Sequence, residues 1–146
     1  TIVRPVKRVD HLMGQVRAFV LRAESLRGRS QVELLARDPG REAILPLLHF
    51  QARFQNQEDP SGYGFGVLDG FPVPTEFIRV LPVSSGEVVL ATDGYPALKP
   101  TLAASEATLK RHLKRNPLGI GRDPATKGLA PGNESFDDRA YLRFLV

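Results

Sequence analysis

The sequence predicts an α+β domain, an antiparallel β-sheet of about four strands covered on one face by three or four helices. Three observations predict it. Apolar residues recur at helical spacing through the first third of the chain, alternate after the turn Glu58-Asp59-Pro60-Ser61-Gly62, and return to helical spacing once more before a last apolar run. At 146 residues the chain fits a single domain over 1–146 and can bury about 70% of its unfolded surface.

From Asp10, an expected N-cap, apolar residues at Leu12, Val16, Phe19, Ala23 and Leu26 mark an amphipathic helix that Gly28 ends. Ser30-Gln31-Val32-Glu33 reads as a capping box opening a short helix through Ala36, stopped by Asp38-Pro39-Gly40. A third helical segment includes Leu47, Leu48, Gln51 and Ala52, with Pro46 in its first turn or kinking it. Tyr63, Phe65 and Val67 then alternate with Gly64, Gly66 and Leu68, a strand with one bulky and one nearly bare face, against which something must pack closely. Asp69-Gly70 turns the chain, Phe77 to Leu81 reads as the next strand, and Ser84-Ser85-Gly86 connects to a strand from Glu87 to Thr92, giving a meander. Thr101 or Ser105 starts a helix carrying Leu102, Leu109 and Leu113, which Asn116-Pro117 ends. Pro117 to Glu134 has no period and reads as a flap, binding loop or disordered stretch; Tyr141 to Val146 alternates again and is expected to return to the meander.

Composition excludes several function classes. There is no cysteine, so disulfides, thiolate nucleophiles and iron–sulfur clusters are ruled out, and a reducing cytoplasm is the expected compartment. No apolar run approaches the ~20 residues of a membrane span, and the start carries no signal-peptide pattern. The chain opens on Thr1 rather than Met, as a fragment would, or a chain that has lost an initiator or a tag. The excess of 20 basic over 16 acidic residues gives +4, much of it in Arg4, Lys7 and Arg8 and in Lys110, Arg111, Lys114 and Arg115. The second cluster has no aromatic neighbours for base stacking and suits the last turn of a helix, so nucleic-acid binding is the least favoured partner class.

Two acidic strand ends suggest one metal site. The run Val88-Val89-Leu90-Ala91-Thr92 stops at Asp93-Gly94, and Ser135-Phe136-Asp137-Asp138 leads into the last run. Either pair alone reads as a turn or a solvated strand flank. If a sheet brings both ends to one rim, their carboxylates repel and call for a cation, and Mg2+ or Mn2+ prefers such oxygens. Adjacent residues on an extended chain point to opposite faces, so one of Asp137 and Asp138 joins a shared site more readily than both.

Glu87-Val88-Val89-Leu90-Ala91-Thr92-Asp93-Gly94 resembles the apolar-strand, Ser/Thr/Cys-Asp-Gly motif of metal-dependent protein phosphatases of type 2C. Ser135-Phe136-Asp137-Asp138-Arg139-Ala140-Tyr141-Leu142-Arg143-Phe144 resembles that family's closing Asp-Asn motif and last strand. The resemblance covers Glu87 to Val146 and, more weakly, the upstream meander. It implies Asp93 and Asp137 as metal ligands, with Asp138 in the family's Asn position as a residue around the metal, and a sheet that is half of a phosphatase sandwich. The family's N-terminal half, with its further acidic ligands, another Asp-Gly and a phosphate-binding arginine, has no counterpart before Tyr63, and Asp69-Gly70 reads as a turn. What is implied is therefore a partial domain that hydrolyses phosphoserine or phosphothreonine esters only when a missing N-terminal half completes it.

Arg122, Lys127 and Arg139 can neutralise a phosphoryl ligand, though solvated loop charge explains them as well. His11, His49 and His112 each stand alone on helical segments and read as surface or core-edge residues, and Gly62-Tyr63-Gly64-Phe65-Gly66 lacks the lysine and helix of a phosphate loop. The alternative to a hydrolase portion is a noncatalytic module that oligomerises, as a homodimer, or binds a partner through the exposed sheet face of a half-sandwich.

Overall fold

A computed structural model describes residue 3 and residues 7–146. Helix α1 runs Arg8–Leu26, α2 Gln31–Ala36, α3 Pro39–Leu48 and α4 Leu102–Arg115; strands β1 and β2 are Glu87–Ala91 and Tyr141–Leu145. Local chemistry sets most of these limits. The Ser30 hydroxyl accepts from Glu33 N while the Glu33 carboxylate accepts from Ser30 N, the expected capping box. Asp38 both stops α2 and caps α3, its Oδ1 accepting from Arg41 N at 2.7 Å, with Pro39 pre-set for the first helical position. Thr101 caps α4 and Asn116 closes it. Asp10 proves not to be the cap of α1: the helix starts two residues earlier, and the Asp10 carboxylate sits in the first turn beside Lys7. Pro46 lies inside α3, which gives way to a 3-10 segment at His49–Phe54.

Helices α1 and α3 pack on each other through Val9, Met13, Ile44 and Leu48, with Tyr63 and Phe65 closing that cluster from outside. Full burial of each such side chain contributes about 1.5–3 kcal/mol. Gly40 permits the close approach, since a Cβ there would lie 2.6 Å from the Arg17 carbonyl oxygen. A second cluster joins Leu21 and Leu34 to Leu118 and Ile120, and a third joins Tyr95, Leu109 and Leu113 to Leu129, Phe136 and Tyr141. Residues 117–130 thus feed two of the three clusters and are docked; of the flap, binding loop or disordered stretch that the sequence left open, disorder does not hold for this part. The N-terminal basic cluster is also committed to packing: Lys7 and Arg8 lie over the Phe65 and Tyr63 rings, 4.1 and 4.9 Å from the centroids, and Arg4 falls outside the described residues.

The buried face of α1 is not the one its apolar spacing announced. Val9, Met13, Arg17 and Leu21, four residues apart, point inward, whereas Phe19 and Leu26 are exposed. An arginine occupies the centre of that stripe. Arg17 is 0% exposed; its Nε and Nη2 donate to Asp38 Oδ2 at 2.9 and 2.7 Å, and its Nη1 donates to the Ala125 carbonyl at 3.0 Å. A buried guanidinium needs partners, and each of the three Arg17 nitrogens has one, which ties α1 to the α3 cap and to the 117–130 segment.

The four-stranded sheet covered on one face by helices is overturned: the described residues form a two-stranded antiparallel sheet, β1 against β2, in register from Glu87↔Leu145 to Ala91↔Tyr141. Tyr63 to Leu68 makes no ladder. One isolated bridge pairs Gln55 with Phe65, and beyond it a side chain takes the place of a neighbouring strand, because the Asn56 amide accepts from Val67 N at 2.8 Å and donates to Val67 O at 3.0 Å. Asn56 adopts φ 49°, a left-handed conformation that asparagine tolerates and that turns the chain out of the bridge. The expected strand at Phe77 begins instead as a 3-10 turn at Thr75–Phe77, with Phe77 N donating to Pro74 O. Phe77 lies on the bare glycine face, where a Cβ at Gly66 would come within 2.8 Å of its own Cβ. The helices do not cover a sheet: α1 and α3 face each other, and α4 reaches the ribbon through the Tyr141 cluster.

Candidate functional site

The ends of β1 and β2 lie side by side. The ladder continues past Ala91↔Tyr141 as Thr92 N donates to Ala140 O at 3.2 Å, and the Thr92 hydroxyl accepts from Ala140 N at 3.0 Å. Gly94 is buried flat against the opposite chain; a Cβ there would lie 2.8 Å from that of Arg139 and collide with the Asp138 carbonyl. The Asp-Gly pair is therefore a packed junction as well as a turn.

Asp93 and Asp137 line the same cavity, of about 990 Å3. Its walls are the junction just described, the C-terminal half of α4, the first turns of α1, and residues 116–127. Asp137 is held firmly: Ser135 Oγ donates to its carbonyl, Asp138 N donates to its Oδ1 at 3.0 Å, and Lys127 Nζ stands 2.7 Å from its Oδ2. The Lys127 ammonium keeps the Asp137 carboxyl below the usual carboxylate range, against an opposing contribution from partial burial.

The other sequence-derived candidates divide between two places. Arg122 and Lys127 line the cavity with Asp93 and Asp137. Asp138 and Arg139 line a smaller hollow beside Tyr95, Glu106 and Tyr141. Asp138 serves the first site through its backbone N–H, and Arg139 is committed to Glu106, its Nε donating to Oε1 at 2.8 Å while the Tyr95 hydroxyl donates to the same oxygen at 2.6 Å. Arg139, then Tyr95, holds the Glu106 carboxyl below its ordinary value, while burial and then Glu106 push the Tyr95 phenol up. That triad joins α4 to the start of β2 and is spoken for structurally.

Sequence reasoning named Arg111 and Arg115 only within a basic cluster and not among the phosphate-binding candidates. Spaced by four on α4, they share a face, and that face is a wall of the cavity. Among the described residues neither they nor Arg122 forms an ion pair with a carboxylate, in contrast to Arg17, Arg27, Arg37, Arg139 and Arg143. Asp10, His11, His112 and Asp123 also line it. The i, i+4 arginines were visible as a pattern, but a helix-dipole role accounted for them equally well.

The loop that carries Arg122 and Lys127 is clamped. Arg22 Nη2 donates to Ile120 O at 2.9 Å, Arg17 Nη1 to Ala125 O at 3.0 Å and Arg41 Nη1 to Thr126 O at 3.0 Å. Leu129 N donates to Pro117 O at 2.8 Å, closing the segment on itself. Gly14 lets the loop reach α1, since any side chain there would collide with the Pro124 carbonyl.

A hard divalent cation takes six or more oxygens. Among the described residues no group of three or more His, Cys, Asp or Glu is placed to hold a metal ion, and one of the two cavity aspartates at the strand ends is already bonded to a lysine. The residues present do not by themselves fit Mg2+ or Mn2+. No family model, curated protein or solved structure matches the chain. Among the described residues no helix is long and apolar enough to cross a membrane.

Proposed function

We propose that the chain is the phosphoester-binding part of a phosphatase 2C-like hydrolase acting on phosphoserine or phosphothreonine, with Mg2+- or Mn2+-dependent hydrolysis only where further carboxylates complete the metal site. One observation carries this: Arg111, Arg115 and Arg122, none ion-paired to a carboxylate among the described residues, line the same cavity as Asp93 and Asp137. Guanidinium groups lining a concave surface favour a dianionic phosphoryl group over a neutral ligand, and a cavity of about 990 Å3 admits a phosphorylated side chain with its flanking residues. Metal chemistry at the aspartates needs carboxylates beyond those present among the described residues. The arginines bind and orient the anion without it.

Titration of the chain with a phosphoserine peptide in EDTA, followed by calorimetry or amide chemical shifts, tests the proposal. Each of Arg111→Ala and Arg122→Ala is expected to weaken binding about three- to fivefold, and added salt to weaken it further. Unchanged affinity in the double variant would remove the cavity from consideration.

A second proposal, a noncatalytic self-associating module, is favoured by the ribbon. Val88 pairs with Phe144 and Leu90 with Leu142 on one face, and Leu90, Leu142 and Phe144 are 54%, 57% and 40% exposed. Neither strand has a neighbour on its outer edge among the described residues. Sedimentation equilibrium is expected to show a dimer that Phe144→Lys dissociates; a wild-type monomer across the whole concentration series would rule this module out.

A further inference from the structure

We infer that the exposed face of α1 docks an amphipathic helix of a partner protein, one whose apolar stripe is flanked by acidic residues. Helix α1 carries two apolar stripes. Val9, Met13 and Leu21, around the buried Arg17, face the core, whereas Leu12, Val16, Phe19, Ala23 and Leu26 recur at alternating steps of four and three on another face. The fold leaves this second stripe largely outside: Val16 and Ala23 are half-buried, and Leu12, Phe19 and Leu26 are 38%, 72% and 90% exposed. None of the five lines the anion cavity.

The spacing fits a helix as the occupant. Apolar side chains scattered singly over a surface need no partner, but a seam that repeats about every 3.5 residues is the pattern by which one helix lies along another, each knob entering a hole on the facing helix. A lipid surface asks for a broader apolar face than such a narrow seam. From Leu12 to Leu26 the seam is about 21 Å long at ~1.5 Å per residue, so the occupant needs about four helical turns.

Charge sets the partner's chemistry. Gln15 and Arg22 run along one side of the seam, and Arg27 flanks the other near its C-terminal end. Arg22 donates to a neutral group, the Ile120 carbonyl, and forms no ion pair among the described residues. Arg27 shares the Glu24 carboxylate with Arg29, at 2.9 and 3.0 Å, so that two positive charges meet one negative. Both acidic residues of α1, Asp10 and Glu24, are thus already paired, and a second copy of the chain has no free carboxylate on this helix to offer. A partner helix with Glu or Asp beside its apolar stripe meets Arg22 and Arg27 directly.

The test titrates the full chain with a fluorescently labelled helical peptide that carries leucine at four-and-three spacing and glutamate at the flanking positions, read by anisotropy. A twin peptide has lysine in place of each glutamate. The acidic peptide is expected to bind, and Phe19→Asp to weaken it about tenfold. Because Phe19 is 72% exposed, that change leaves the fold intact, which circular dichroism verifies. Arg27→Glu is expected to weaken the acidic peptide about threefold and to strengthen the lysine twin by a similar factor. Equal binding of the two peptides, binding indifferent to Phe19→Asp, or no binding of the acidic peptide overturns the inference. So does a wild-type dimer that Phe19→Asp and not Phe144→Lys dissociates, which would make the occupant a second copy. Association with phosphatidylserine vesicles that Phe19→Asp abolishes overturns it as well, by making the occupant a lipid surface.

Discussion

Arg17→Met is expected to lower the unfolding free energy by about 3 kcal/mol in urea denaturation followed by circular dichroism. Methionine matches the stem of arginine and fills the space, so the loss is not one of volume. It comes from three donors removed at once: Asp38 Oδ2 loses both guanidinium nitrogens, and the Ala125 carbonyl loses its partner. Asp38 keeps its bond from Arg41 N and so still caps α3, but its charge is left partly buried with no counter-ion. Arg17→Lys is expected to recover only a fraction, because one ammonium cannot reach the carboxylate and the carbonyl in the geometry of a planar fork. A loss below about 1 kcal/mol for Arg17→Met would show that the buried pair is replaceable by apolar packing, as such pairs sometimes are. The effect should reach the cavity, since hydrogen exchange at the Ala125 and Leu129 amides is expected to speed up as the loop loosens.

Gly14→Ala has the second-largest expected effect, a net destabilisation of about 1–2 kcal/mol. In an isolated helix this change would help by about 1 kcal/mol, because glycine is a poor helix former. Here the added methyl collides with the backbone carbonyl of Pro124, which cannot rotate away as a side-chain end could. Either α1 shifts, disturbing Met13 and Ala18, or the loop lifts and carries Arg122 and Lys127 out of place. The second course predicts that phosphoserine-peptide affinity falls together with stability. Stabilisation by Gly14→Ala would mean that the loop does not rest on α1.

Elements governed by short-range chemistry were legible. The Ser30–Glu33 box, the Thr101 cap, the Asn116 stop and the acidic ends of the two apolar runs depend on groups within a few residues of each other. The paired strands were legible too, though as members of a larger sheet. Alternation at Tyr63 to Val67 shows which side chains share a face and says nothing of whether a partner backbone is available; there Asn56 took the hydrogen bonds a neighbour would have used. The helical face of α1 was misjudged for a related reason. Hydrophobicity ranks Arg17 outside, and only the distant Asp38 and the Ala125 carbonyl make its burial tolerable.

Taken alone, the order of residues determined where α2 starts and stops, where α1 and α4 stop, where the ribbon strands end in aspartate, and that thiol chemistry is excluded, because each follows from covalent identity or from bonds between near neighbours. Tertiary structure decided the rest: that the sheet has two strands, that a buried arginine holds the 117–130 segment to α1 and α3, that Arg111 and Arg115 line one cavity with the strand-end aspartates, and that Lys127 has already claimed Asp137. These depend on groups far apart along the chain, whose pairing becomes favourable only once packing has removed water from between them and set them within bonding distance.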